Sequence, residues 1–173
     1  SIDVYGEARN TCAANREDSQ ISLHGLETYG FHKYLAEQVV RFHAPSHLIL
    51  RAGTLIGPGL RKNPVHDALH GAPIRQTPDS RLSLITLQRL AEALDRLLER
   101  DAGGVFNVTG SAPVDIATML RRVGEAHGRD AGSHAFHDEL LTTDYDISTD
   151  KVSAYLDLPD SETMLCEYLA GPR

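Results

Sequence analysis

Tryptophan is absent from the 173 residues, and cysteine occurs only twice, at Cys12 and Cys166. Two thiols are too few for a disulfide framework and lack the paired spacing of a zinc site. Both read as ordinary thiols, and a reducing cytoplasm is the expected setting. No apolar run approaches the ~18 residues that a membrane helix needs, so no partner membrane is expected. No charged-then-apolar leader opens the sequence either. Positive charge is in short supply, with 17 Lys and Arg against 24 Asp and Glu, a net charge of −7. That balance argues against nucleic acid as a partner, which would call for a basic face. Hydrophobic residues at 41% and charged residues at 24% suffice for a packed core and exclude global disorder. A single globular enzyme or binding module remains.

Periodicity divides the chain into alternating strands and helices. Ser1-Ile2-Asp3-Val4-Tyr5-Gly6 reads as a strand end running into a glycine turn, and Glu7 to about His24 is polar and aperiodic. Glu27–Ala44 is helical, with Tyr34, Leu35, Gln38, Val39 and Phe42 on one stripe and Pro45 as the stop. His47–Ala52 reads as a buried strand, Gly53–Asn63 as a loop around Gly57-Pro58-Gly59, and Pro64–His70 as a short helix stopping at Gly71. Strands are expected at Pro73–Gln76, Leu82–Thr86, Val105–Val108 and near His134–Phe136. Helices are expected at Leu87–Arg100, Pro113–His127, Thr149–Leu156 and Ser161–Leu169. In the first of these, Leu90, Ala91, Leu94, Leu97 and Leu98 form an apolar face read as core. Alternation of this kind is the signature of an α/β chain with mostly parallel strands.

Three constellations bear on chemistry. Tyr29-Gly30-Phe31-His32-Lys33 puts a phenol and an ammonium four residues apart on one helical face. A phenol is a poor base at neutral pH, but a neighbouring cation favours the phenolate and makes it a usable one. His66-Asp67-Ala68-Leu69-His70 has the i, i+4 histidines of a zinc site but no third ligand, so no metal is expected there. Asp144, Asp146, Ser148 and Asp150 begin like a calcium loop, yet Thr149 and Tyr155 stand where its glycine and glutamate belong. They read instead as turn and helix-capping carboxylates.

The order of these features resembles the extended short-chain dehydrogenase/reductase family, the NAD-dependent nucleotide-sugar epimerases and dehydratases. Ser1 in Ser1-Ile2-Asp3-Val4-Tyr5-Gly6 stands at the position of that family's catalytic Ser or Thr, followed by the Tyr29 and Lys33 pair. Arg51 closing the next strand, the Gly57-Pro58-Gly59 loop, Val105-Phe106-Asn107-Val108 and Asp150-Lys151 match in order, so the resemblance covers essentially the whole chain. It departs in one respect: the G-x-x-G-x-x-G turn that cradles the dinucleotide pyrophosphate does not occur in these residues. The expectation is therefore a carboxyl-terminal half: one incomplete domain, inactive in isolation. Residues 1–52 would end the Rossmann part and carry the catalytic helix, and 53–173 would mix a small substrate-binding lobe with late Rossmann elements.

What the resemblance implies is specific. Ser1, Tyr29 and Lys33 would be catalytic. Tyr29, Lys33, Ala52 and Gly53 would contact NAD or NADP, and Thr54, Arg61, Lys62 and Asn63 would contact a nucleotide-sugar substrate. The dehydratase Asp-Glu pair is replaced by Ile2-Asp3, which disfavours dehydration. The Cys and His of the double epimerases are replaced by Asp3 and Gly59, which disfavours that reaction too. A 4-epimerase or ketoreductase remains, with a homodimer formed through the helix bearing Tyr29. The rivals are a short-chain reductase of a non-sugar alcohol or ketone, and a non-catalytic dinucleotide sensor.

Overall fold

The computed structural model describes residues 1–6, 15–128 and 134–171. Cys12 and the Glu7–Ala14 part of the aperiodic segment lie outside the described residues. The chain is α/β, and three of the four strand pairs among the described residues are parallel.

Helix α1, Thr28–His43, ends at Ala44 because Pro45 cannot continue it and pushes the preceding residue into extended geometry. Strand β1, Leu48–Ala52, pairs in parallel with β6, Gly104–Val108, from Leu48 opposite Gly104 to Ala52 opposite Val108. Gly53 donates its N–H to Val108, and the next residue, Thr54, donates to Ser83. At this point the chain leaves one strand pair and joins another: β2, Thr54–Ile56, runs beside β5, Leu84–Thr86. A Cβ on Gly53 would lie 2.2 Å from the Thr109 hydroxyl and 2.5 Å from the Ser83 carbonyl, so the crossover tolerates no side chain.

Helix α2, Pro64–His70, begins with a proline whose missing N–H is not needed there, under the side-chain cap of Asn63. Strand β3, Ile74–Gln76, pairs with β8, Phe136–Leu141, and β4, Arg81–Leu82, pairs antiparallel with β7, Val114–Asp115. Helix α3, Leu87–Glu99, is capped by Thr86, α4, Ile116–His127, by Asp115, and α6, Ser161–Ala170, by Asp160. Helix α5 is the single turn Asp150–Ser153.

Two cores result. Phe106, Val108, Ile85, Ala93, Leu97, Val152 and Met164 close around β1 and β6. Ile56, Ile74, Leu82, Leu84, Ile116, Met119 and Leu165 close between β2–β5 and helices α2, α4 and α6. Adjacent residues of α6, Met164 and Leu165, enter different cores and tie them together.

The structure departs from the sequence expectations at several places. The Leu82–Thr86 strand is split into β4 and β5, and the start of the Pro113–His127 helix is strand β7. The strand near His134–Phe136 runs Phe136–Leu141, and the Thr149–Leu156 helix is the single turn α5. Ile2–Tyr5 is a 3-10 turn and not a strand end. The Gly53–Asn63 loop contains β2. Leu94 and Leu98 are exposed and Ala91 also faces solvent, because α3 buries the narrower Leu90–Ala93–Leu97 seam. Asp144 and Asp146 are not caps: both pair with Arg81, at 2.8 and 3.1 Å, and Asp150 pairs with Arg16.

Candidate active site

Beneath the site lies a buried polar cluster. Arg51, 2% exposed, makes a two-pronged pair with Glu37 of α1: Nε to Oε1 at 3.0 Å and Nη2 to Oε2 at 2.8 Å. Its third nitrogen donates to the Tyr5 hydroxyl at 2.9 Å, and that hydroxyl donates to Asn107 Oδ1 at 2.6 Å. Burial pushes the Tyr5 phenol above its ordinary pKa, outweighing the Arg51 cation beside it. Burial works against the Arg51 cation as well, but its hydrogen bonds to Glu37 and Tyr5 prevail and raise its pKa. Strand β1, helix α1 and the opening turn are thereby fastened to one another.

A second contact sets their spacing. Gly30 faces the turn so closely that a Cβ there would lie 2.2 Å from the Asp3 carbonyl oxygen. The helix carrying Tyr29 and Lys33 can thus lie directly against the turn carrying Ser1 and Asp3. Tyr29 is 57% exposed, and Lys33 Nζ sits 5.1 Å from the centroid of its ring. Lys33 makes no ion pair among the described residues, so its charge is available to whatever enters.

These groups open onto a cavity of about 850 Å³ at the carboxyl end of β1, the position at which open α/β sheets bind ligands. Ser1, Tyr29, Lys33, Ala52, Gly53, Thr54, Arg61, Lys62 and Asn63 all line it. Arg61 and Lys62 are exposed at the rim, without ion pairs among the described residues. Asn63 is 9% exposed and its amide is occupied: Oδ1 accepts from the His66 N–H at 2.8 Å and Nδ2 donates to the Leu55 carbonyl at 3.1 Å. It shapes the cavity wall by holding α2 to β2.

Beyond the site residues named from sequence, Asp3, Gln76, Leu82, Thr143 and Tyr145 are among the further residues that line the cavity. The Ser1 hydroxyl donates to Asp3 Oδ2, and the Tyr145 hydroxyl donates to Asp3 Oδ1 at 2.9 Å. A signal for Tyr145 exists in the alternation Asp144-Tyr145-Asp146. In extended chain it turns two carboxylates to one side, where Arg81 lies, and the phenol to the other. The His66 and His70 rings stack at 4.0 Å on α2, and His70 Nδ1 contacts the His66 carbonyl at 2.8 Å.

Solved structures match this architecture over nearly its full length. The dTDP-glucose 4,6-dehydratase of Bacillus anthracis, in complex with NAD, aligns with 98% of this chain at TM-score 0.76 and 14% identity. The chain shares the Rossmann-type fold of that protein in part. MoeE5, in complex with UDP-glucuronic acid and NAD, matches 98% of the chain at TM-score 0.78 and 23% identity. The UDP-glucose 4-epimerase of Thermotoga maritima, with UDP-glucose, matches 97% at 0.74 and 16%. The chain spans 58%, 60% and 59% of these three proteins respectively. No family model and no curated protein matches the sequence.

The donor set suits the nicotinamide end of NAD or NADP. An ammonium with no acidic partner and a phenol stand side by side, next to a crossover at Gly53 where backbone is bare of side chains. The pyrophosphate cradle is not among these residues.

Proposed function

We propose that this chain carries the catalytic helix and substrate lobe of an NAD(P)-dependent epimerase or ketoreductase acting on a nucleotide-activated sugar. One observation carries the reading: nine residues chosen from sequence, scattered from Ser1 to Asn63, line a single cavity. Residues 1–52 contribute the Rossmann strand and catalytic helix, and 53–173 the sugar-nucleotide lobe with late Rossmann elements.

The chemistry that a bound nicotinamide supplies is reversible hydride transfer at a sugar carbon. Tyr29 takes the proton from the hydroxyl on that carbon and returns it in the reverse step. Lys33, stacked over the Tyr29 ring, would hold the nicotinamide ribose. Ser1 holds the reacting oxygen. Arg61 and Lys62 meet the diphosphate at the rim, and Thr54 lines the sugar end. Ala52 and Gly53 border the cofactor, and the bare backbone of Gly53 permits close approach.

The stripe on α1 supports a homodimer. Val39 is 58% exposed and Phe42 83%, with Leu35 and Val40 beside them, so this face is not part of the chain's own core. Its position on the Tyr29 helix would put the interface behind the site. The function is tested by mixing the full-length gene product with NAD and UDP-glucose and following nicotinamide absorbance and sugar configuration. Epimerisation or ketone reduction supports the reading, and neither reaction with any nucleotide sugar overturns it.

A further inference from the structure

The cavity is electrically lopsided. At its rim stand two cations, Arg61 and Lys62, and at its inner end, beside Ser1 and Tyr29, stands the carboxylate of Asp3. Each oxygen of Asp3 accepts a hydrogen bond, Oδ2 from Ser1 and Oδ1 from Tyr145 at 2.9 Å. Acceptance at both oxygens is the hydrogen-bonding state of a carboxylate, and each oxygen keeps a further lone pair for a donor. Both partners are neutral hydroxyls, and Asp3 forms no ion pair among the described residues. The cations of this end are Lys33, stacked over the Tyr29 ring, and the Ser1 amino group, and neither forms an ion pair with Asp3 among the described residues. A ligand reaching Ser1 and Tyr29 therefore meets a carboxylate without an ion-pair partner, which can receive hydrogen bonds but cannot give them.

We propose that Asp3 is a specificity-determining residue, which selects sugar nucleotides with a neutral, hydroxyl-bearing sugar and rejects those whose sugar carries a carboxylate. The inference rests on the nucleotide-sugar reading above and deepens it. A sugar hydroxyl donates to the free lone pairs of Asp3. A uronic acid brings a second carboxylate to an acceptor-only wall, where like charges repel in a partly desolvated site. Tyr145, reaching Asp3 from a segment 142 residues away, holds the carboxylate in place without altering its charge. The diphosphate meets the cations Arg61 and Lys62, so the lining carries both the positive charge for a nucleotide diphosphate and an acceptor for an uncharged sugar.

The test is titration of the full-length gene product, loaded with NAD, with UDP-glucose and with UDP-glucuronic acid. UDP-glucose is expected to bind at least roughly tenfold more tightly. Asp3→Asn, which keeps the shape and removes the charge, is expected to bring the two within about threefold by tightening UDP-glucuronic acid. Asp3→Ser is expected to do the same should Asp3→Asn fail to fold by thermal unfolding. Tyr145→Phe, which leaves the charge, is expected to retain the wild-type preference. Equal or tighter binding of UDP-glucuronic acid by the wild type, or an unchanged ratio in both Asp3 variants, overturns the proposal and leaves the nucleotide-sugar reading standing. Binding of neither compound removes that reading and the proposal together.

Discussion

Lys33 Nζ lies 5.1 Å from the centroid of the Tyr29 ring, one helical turn along α1, with no acidic partner among the described residues. The pair is held against the opening turn by Gly30 and against β1 by Glu37 and Arg51, so its position is set from both sides. Replacing Lys33 by Met removes the cation beside the Tyr29 ring and the group proposed to hold the ribose. Turnover is expected to fall by about 10²-fold, with weakened NAD binding. Steady-state kinetics at varied NAD check both effects.

Gly30→Ala puts a methyl group 2.2 Å from the Asp3 carbonyl, where backbone must move. A loss of about 1–3 kcal/mol is expected in urea unfolding, as for other overpacked sites. Helix and turn would separate, so turnover is expected to fall further than the lost stability explains.

Glu37→Ala leaves the Arg51 guanidinium buried at 2% exposure with its principal acceptor gone. Breaking one side of a buried pair costs about 3–5 kcal/mol. The expected outcome in denaturant titration is a loss of unfolding free energy of that size, against a change near zero for Glu99→Ala, whose pair with Arg96 is exposed.

Phe42→Asp, at 83% exposure, removes apolar surface without touching either core. Sedimentation of the full-length gene product is expected to show dimer for the wild type and monomer for the variant, with the monomer's fold intact by circular dichroism. A dimeric variant would remove α1 as the interface.

Much of the fold was legible because period and punctuation agree. Helix α1 and β1 were bounded to within one or two residues by the Leu and Val spacing and by Pro45. Strand β2 was hidden because Thr54–Ile56 is three residues long and lies between glycines, so only its partner β5 identifies it as a strand. Leu94 and Leu98 were misassigned because periodicity reports which residues share a face, not how wide a stripe the neighbours cover. The motif residues from Ser1 to Asn63 that line the cavity were legible in the sequence. Asp3 and Tyr145 were not, because they meet only after the Asp144–Asp146 segment is anchored by Arg81, a pairing that no local pattern contains. The reason for a glycine at position 30, the Asp3 carbonyl beside it, is visible only in the fold.

Tyr29→Phe in the full-length gene product removes one oxygen from an exposed ring and leaves its stacking with Lys33 in place. If proton transfer at this phenol drives the reaction, turnover drops by about 10²–10⁴-fold while NAD and sugar-nucleotide affinities stay within a few-fold of wild type. Turnover equal to wild type would mean that the phenol does no chemistry and that the cavity serves binding alone.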